Sequence, residues 1–185
     1  MPTLKRFSSV SYLIILSFIF VLSSCMGARM PMSGKRDKLV ETFFIEKGIT
    51  QYFIKPLMLK GEKKGSLYLD FTFRDQGVLN DSATVNFSVE DENTLKEVES
   101  LRLTASGQTA SASGITFLLT KDRGGSFESR YSSKMPLDEV KELFEHVEWQ
   151  ATVVNDGSAM RFSSNGKTEK AIEKLNDRVF AQLKD

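Results

Sequence analysis

The sequence predicts an α+β fold, in which an antiparallel β-sheet or sandwich of about eight strands carries two C-terminal helices. Apolar and polar residues alternate over residues 66–74 and 81–90, which is the pattern of strands with one buried and one exposed face. Turn residues separate such runs, and two later segments have apolar residues at helical spacing. Alternating strands also permit a closed barrel, so a lipocalin-like β-barrel with a terminal helix is the alternative.

Two aromatic-rich runs precede these strands and predict a hairpin. Residues 42–45 and 50–59 are rich in Phe, Ile and Tyr, and Lys47-Gly48 between them is a turn candidate. Pro56 has no backbone donor, which places the second run at a sheet edge or a bulge. The inner face of the strand at 66–74 is predicted to carry Leu67, Leu69, Phe71 and Phe73.

The middle of the chain predicts a further hairpin. Residues 95–104 fit either a strand or a helical turn, and residues 106–114 are small and polar, as in an exposed hairpin loop. Residues 115–121 and 127–132 are strand-like runs on either side of a turn that contains Gly124-Gly125. This glycine pair is not a phosphate-binding loop, because no Gly-Lys-Ser/Thr follows it.

The C-terminal part of the chain predicts two helices with a hairpin between them. Pro136 starts the first helix, whose apolar residues recur at helical spacing as far as Val147. Two strand-like runs within residues 149–163 form a hairpin around Asp156-Gly157, a sequence typical of tight hairpin turns. Residues 168–183 form the final amphipathic helix.

The start of the chain has the features of a secretion signal. Lys5 and Arg6 precede an apolar run over residues 10–22, about the length of the apolar core of a signal peptide. The run closes in Leu22-Ser23-Ser24-Cys25, which resembles the lipobox of bacterial lipoproteins: an aliphatic residue, two small residues and a cysteine. An uncleaved transmembrane anchor is the alternative, because the uncharged stretch continues as far as Arg29.

The resemblance to lipoproteins implies a specific modification. Leu22, Ser23 and Ser24 would be recognised by a signal peptidase, which cuts before Cys25 once its thiol carries diacylglycerol. The new amine is often acylated as well. Because each buried acyl carbon contributes about 0.8 kcal/mol and one chain alone binds marginally, two or three chains would attach the protein to a lipid bilayer permanently.

These features divide the chain into three parts. Residues 1–24 are the predicted lipoprotein signal peptide, residues 25–38 a lipidated tether, and residues 39–185 a single globular domain. As a flexible coil the tether would reach about 20 Å from the bilayer. Its basic residues fit either a solvated linker or a segment attracted to anionic head groups.

The residue after the cysteine implies a location. In envelopes of the enterobacterial type, Asp at that position retains lipoproteins in the inner membrane, and here the residue is Met26. The resemblance therefore implies a lipid-anchored protein of the cell envelope, in the outer membrane and facing the periplasm if the source is Gram-negative.

Composition excludes some functions and leaves others open. Residues 1–24 hold two of the 25 basic residues and none of the 24 acidic ones, so the rest of the chain has a net charge of −1. This balance argues against a nucleic-acid binder, which needs a basic patch or stripe. Cys25 is the only cysteine, so once lipidated the chain has no free thiol and no disulfide.

The sequence predicts no catalytic, cofactor-binding or metal site. His146 is the only histidine and lies near the end of a predicted helix, where it interacts favourably with the helix dipole without any catalytic role. The acidic run at 90–93 lacks the spacing of a calcium loop and reads as a solvated turn. A glycosidase with paired carboxylates needs no sequence signature and stays open.

Two functions therefore remain for the domain. The first is a non-enzymatic binding module for another envelope component, a protein or a glycan, and the second is a carrier of an apolar small molecule or lipid in a barrel or half-barrel. Tyrosine and tryptophan side chains could stack on sugars or partner residues if exposed, although core packing is the more ordinary role. They are Tyr52, Tyr68, Tyr131 and Trp149.

Lipidation of Cys25 has a direct test. Replacing Cys25 with Ser or Ala should leave an unprocessed precursor and abolish labelling by a fatty-acid analogue, because the acceptor thiol is gone. Undiminished labelling of the variant would contradict the assignment. Membrane retention alone decides nothing, since the uncut apolar segment could still anchor the chain.

Overall fold

The computed structural model describes residues 38–46, 48–75 and 82–183. These residues belong to one compact unit, Arg36–Asp185. The predicted signal peptide, the lipobox with Cys25 and most of the predicted tether lie outside the described residues, so the predictions made for them stay predictions.

The described residues form a ten-stranded antiparallel sheet with two α-helices. This confirms the predicted α+β fold, with two strands more than expected. The strands are β1 (Val40–Glu46), β2 (Ile49–Gly61), β3 (Ser66–Asp75), β4 (Ser82–Asp91), β5 (Val98–Ala105), β6 (Gln108–Ser111), β7 (Ser113–Asp122), β8 (Phe127–Pro136), β9 (Gln150–Asn155) and β10 (Ser158–Ser163). The helices are α1 (Leu137–Phe144) and α2 (Gly166–Arg178), followed by a 3₁₀ helix (Phe180–Gln182).

The strand order is β6-β5-β9-β10-β2-β3-β4-β8-β7, with β1 beside β2. The two end strands, β6 and β7, are separated along the chain by a single residue, Ala112, whose N–H donates to the carbonyl of Leu101 at 2.9 Å. The chain thus runs from one end of the sheet directly to the other. The sheet is nevertheless not closed into a barrel, so the lipocalin-like alternative is wrong.

The long strand β2 organises one side of the sheet. Its first part pairs with β1, its last two residues pair with β10, and its other edge pairs with β3 along most of its length. The β2–β3 register shifts between Ile54 and Leu57, which places Pro56 at a bulge as predicted. Gly65 in the following turn has φ +116°, and a Cβ there would lie 2.6 Å from the carbonyl oxygen of Glu90. The turn therefore requires glycine.

The core lies on one face of the sheet. The alternation predicted for β3 and β4 is confirmed, because every second residue there is buried. The helix α1 and the 3₁₀ helix pack against this face: the ring of Phe144 in α1 lies 5.6 Å from that of Phe71, and the ring of Phe180 in the 3₁₀ helix lies 5.3 Å from that of Phe73. The helix α2 adds Ile172 and Leu175 to the core. The buried residues on the two strands are Leu67, Leu69, Phe71, Phe73, Ala83, Val85, Phe87 and Val89.

The helices differ in detail from the prediction. The helix α1 lies between β8 and β9, so only α2 is C-terminal, and α1 ends at Phe144 rather than Val147. The indole of Trp149 ends it by donating to the carbonyls of Leu143 (3.0 Å) and His146 (2.8 Å). The helix α2 begins two residues earlier than predicted, because Asn165 caps it by accepting from two backbone N–H groups.

The ambiguous middle segment is resolved as strands. Residues 98–105 form β5 and not a helical turn, and the predicted loop at 106–114 contains the short strand β6. Ser106 (φ 48°) and Gly107 (φ 90°) both adopt the left-handed region, which gives the tight turn that pairs Ala105 with Gln108.

The two faces of β3 should respond differently to truncation. Phe71 is fully buried, so Phe71→Ala should cost about 3–5 kcal/mol of unfolding free energy. Thr72 is half-buried on the other face, and Thr72→Ala should cost less than about 1 kcal/mol. Urea melts of both variants measure this, and equal costs would contradict the assigned faces.

Candidate functional site

Large apolar side chains are exposed mainly on two strands of the described part of the chain. On β7 they are Phe117 (41% exposed), Leu118 (49%) and Leu119 (49%). On β1 they are Phe43, Phe44 and Ile45. Contiguous exposed apolar groups mark interaction surfaces more often than scattered ones do. These two strands are therefore the candidate binding elements.

The strand β7 is the last strand at its end of the sheet and, within the described residues, pairs only with β8. Its register shifts between Phe117, which lies opposite Tyr131, and Leu119, which lies opposite Arg130. The bulge thus inserts Leu118 as an extra residue beside Leu119. Bulges redirect side chains at sheet edges, and here the result is two adjacent, half-exposed leucines.

The inner side of β7 rests on a hydrogen-bonded support. The ring of Phe117 contacts that of Tyr131 edge to face, with the centroids 5.7 Å apart. The Tyr131 hydroxyl donates to the carbonyl of Leu95, and the N–H of Leu95 donates to Ser129 Oγ at 3.1 Å. Because Tyr131 and Ser129 are buried and both satisfied by Leu95, β8 gives β7 a fixed base.

A polar network on the outer side joins the neighbouring strands. Arg130 Nη2 on β8 lies 2.7 Å from Asp70 Oδ2 on β3, and its Nη1 donates to Ser88 Oγ on β4 at 3.1 Å. Asn86 donates to the other oxygen of Asp70 at 2.8 Å. These bonds cross three strands next to β7, so they stiffen the sheet on which the exposed leucines sit.

A groove of about 550 Å³ continues this network along the outer face. Tyr68 lines it and donates to Glu90 at 3.3 Å, and Arg123 forms an ion pair with Glu128. Burial acts to raise the pKa of Glu128. The pKa is nevertheless below its ordinary value, because Glu128 accepts hydrogen bonds from Arg123 and Ser88 and lies near two guanidinium charges. The charged groups of this groove are thus paired with one another.

A second, larger cleft of about 760 Å³ contains His146. Three carboxylates line it with the imidazole: Glu145, Glu148 and Glu169. One hydroxyl of the lining, Ser164 Oγ, accepts from the N–H of Trp149 at 3.0 Å and donates to Glu169 at 3.2 Å. These bonds give Ser164 a role in joining β10 to the start of α2 and do not assemble a nucleophile with a base.

The structure places the other residues considered from the sequence as follows. Tyr131 and Trp149 are buried, Tyr52 stacks on Phe73 with centroids 5.2 Å apart, and Tyr68 lies half-buried in the groove. The acidic run at 90–93 forms the end of β4 and a bend, in which Asp91 accepts from a backbone N–H. Among the described residues no group of three or more metal-ligating side chains comes together. The predicted lipidation residue, Cys25, and its recognition residues lie outside the described ranges.

Sequence reasoning missed the exposure of β1 and β7. Both strands contain three consecutive apolar residues, Phe43-Phe44-Ile45 and Phe117-Leu118-Leu119. A strand with one buried face alternates, so three apolar residues in a row place an apolar side chain on each face. That break in the alternation was the available signal.

Comparison of the chain with family models, with curated proteins and with solved structures finds no match. No helix among the described residues is long and apolar enough to cross a membrane. The function is therefore inferred from the geometry of the domain and from the resemblance of the N-terminal residues to lipoproteins.

Tyr131 should make stability depend on alkaline pH. Burial raises the pKa of Tyr131 to about 12, above the ordinary value of about 10. The folded state therefore favours the neutral phenol, and this contribution is present in full below about pH 10 and is lost as the pH rises toward 12. Between these values the loss is about 1.4 kcal/mol per pH unit.

Urea melts of the wild type and Tyr131→Phe between pH 9 and 11 measure this contribution. Tyr52 and Tyr68 are common to both chains, so the difference isolates Tyr131. The variant should be less stable at neutral pH, because the Leu95 carbonyl loses its donor, and the gap should shrink above pH 10. Parallel stability curves would contradict the buried, neutral phenol.

Proposed function

We propose that the protein is a lipid-anchored envelope lipoprotein whose domain binds an extended, apolar segment of another envelope protein along β7. The anchor is inferred from the resemblance of Leu22-Ser23-Ser24-Cys25 to a lipobox. The observation that carries the binding proposal is the edge strand β7, with three half-exposed apolar side chains in its centre.

Strand addition is the binding mode that fits an edge of this kind. An edge strand presents unpaired N–H and C=O groups, and proteins commonly cover or charge such edges to avoid association. In the described residues β7 is neither covered nor charged at its centre, and nine of its ten residues are exposed. An added strand would form main-chain hydrogen bonds and cover apolar groups on both faces of β7.

The support beneath β7 favours a stable binding edge. The adjacent strand β8 is held on its inner side by the bond of Tyr131 to Leu95. On its outer side it is held by the bond of Arg130 to Asp70. A strand that is already ordered loses little conformational entropy on binding. The edge therefore has the rigidity that strand addition needs.

The alternative of an apolar carrier is less well supported. Its ligand would occupy the core face of the sheet, and α1, α2 and the 3₁₀ helix already pack there through Phe144, Ile172 and Phe180, all fully buried. A glycan partner in the groove beside Tyr68 would have to compete with the hydrogen bonds and ion pair already formed there. The absence of enzymatic activity and the periplasmic side of an outer membrane remain parts of the proposal.

Site-specific crosslinking in the source bacterium tests the binding edge. A photoreactive phenylalanine at Phe117 or Leu119 should crosslink to one segment of one envelope protein, whereas the same residue at Val147, which is 38% exposed elsewhere on the domain, should not. Adding Leu118→Lys should abolish the crosslink from 117 while leaving the unfolding midpoint unchanged, because the side chain is exposed.

A peptide of the crosslinked segment then tests the mode. It should bind the purified domain, and N-methylation of its alternate amides that face β7 should abolish binding, since strand addition depends on main-chain hydrogen bonds. Equal crosslinking from Val147, no crosslink from either β7 position, or a crosslink only to a second copy of the chain would each contradict the proposed partner.

A further inference from the structure

A second apolar surface lies on the hairpin of β1 and β2, away from the β7 edge. Phe44 is 81% exposed, Phe43 54% and Ile45 47%, and all three lie in the last part of β1, next to the turn. In the strand order, β1 and β7 are five strand spacings apart, which is about 24 Å along the sheet. The two surfaces can therefore be occupied independently.

The hairpin extends beyond the well-packed part of β2. The first five residues of β2, from Ile49 to Phe53, are only half-buried, whereas Ile54, Leu57 and Leu59 are buried. Phe43 packs edge to face on Phe53 with the centroids 5.4 Å apart. This pair stiffens the hairpin but leaves more than half of Phe43 exposed. The hairpin thus carries an ordered apolar tip.

The apolar groups lie on both faces of the hairpin. Phe43 and Phe44 are neighbours on a strand, so their side chains point to opposite faces. The register shifts between Phe44 and Glu46, which leaves Ile45 at an irregularity beside the turn. A flat protein partner or a second copy of the chain would cover the apolar side chains on one face of the hairpin and leave those on the other face exposed to water. A lipid interface surrounds an inserted tip on all sides.

The position of the proposed anchor puts this tip within reach of the bilayer. From Cys25 to Lys38 the chain has 13 residue steps, so even fully extended it spans at most about 45 Å. Phe44 lies four residues beyond Val40 along β1, which is about 13 Å. The tether therefore lets the tip reach the bilayer and sets an upper limit on its distance from it.

We infer that the β1–β2 tip inserts into the interface of the bilayer that holds the acylated Cys25, with Phe43, Phe44 and Ile45 as the inserted side chains. The inference rests on the proposed lipid anchoring. Attached at two points, the lipid anchor and the tip, the domain has a restricted orientation on the membrane. The β7 edge is then held in a limited set of directions toward its partner.

A single fluorescent label tests the insertion. The acylated full-length protein has no free thiol, so Phe44→Cys creates one labelling position, and Leu118→Cys gives a matched control on an exposed strand residue. Each labelled protein is added to preformed vesicles of phosphatidylethanolamine and phosphatidylglycerol. The emission maximum of the label at 44 should shift to shorter wavelength, and spin-labelled lipids should quench most of its emission. A reductant added to the aqueous phase should not bleach it. The label at 118 should show no shift and no quenching, and the reductant should bleach it.

The outcomes separate the insertion from the anchor. If the protein floats with the vesicles but the label at 44 reacts with the reductant as fast as that at 118, the anchor stands and the insertion is wrong. If the protein does not float and Cys25 retains a free thiol, the lipid anchoring fails, and the inference fails with it. If the emission shift at 44 grows with the protein-to-lipid ratio, a second copy of the chain covers the tip. If the emission maxima at 44 and 118 shift equally, both strands become buried and the effect is not specific to the tip. Each of these two results overturns the insertion.

Discussion

The stack of aromatic side chains beneath β3 is the interaction on which the rest of the fold depends. The ring of Phe144 lies 3.9 Å from that of Phe180, centroid to centroid, and contacts Trp149 edge to face at 4.7 Å and Phe71 at 5.6 Å. The four rings come from α1, the 3₁₀ helix, the residue before β9, and β3. Aromatic pairs contribute about 0.5–1.5 kcal/mol each beyond the area they bury, so this cluster fixes the helices on the sheet.

The same cluster explains why binding is assigned to strand edges. Buried side chains of the helices occupy the face of the sheet that carries the core, although the chain passes from one end strand to the other through Ala112 alone. Trp149 also ends α1 through its indole N–H, so packing and helix termination share one residue. The apolar groups that the core does not use are left on β7 and at the tip of β1, where the first would meet a protein segment and the second a bilayer.

The sequence predicted best those strands whose two faces meet different surroundings. Alternation in β3 and β4 identified the buried side chains, and Pro56 predicted a bulge, because each signal is local. The sequence predicts a loop where β6 lies, because Gln108–Ser111 is short and polar and its strand geometry comes from pairing with β5. The end of α1 also depends on a side-chain contact that apolar spacing does not show, because the spacing continues to Val147 while the indole of Trp149 bonds the carbonyls of Leu143 and His146. Three consecutive apolar residues mark both β1 and β7 in the sequence, but which of these side chains stay exposed depends on the neighbours that the sheet supplies.

Helices and aromatic side chains fill the core face of the sheet, and the only tryptophan reports on this packing. Trp149 is 1% exposed within the aromatic stack, and a brominated fatty acid quenches tryptophan emission only when it comes close to the ring. Titrating the unit of residues 36–185 with such a fatty acid, below the concentration at which it forms micelles, should leave the Trp149 emission unchanged. Saturable quenching at one fatty acid per chain would show a ligand inside the sheet and contradict the filled core face.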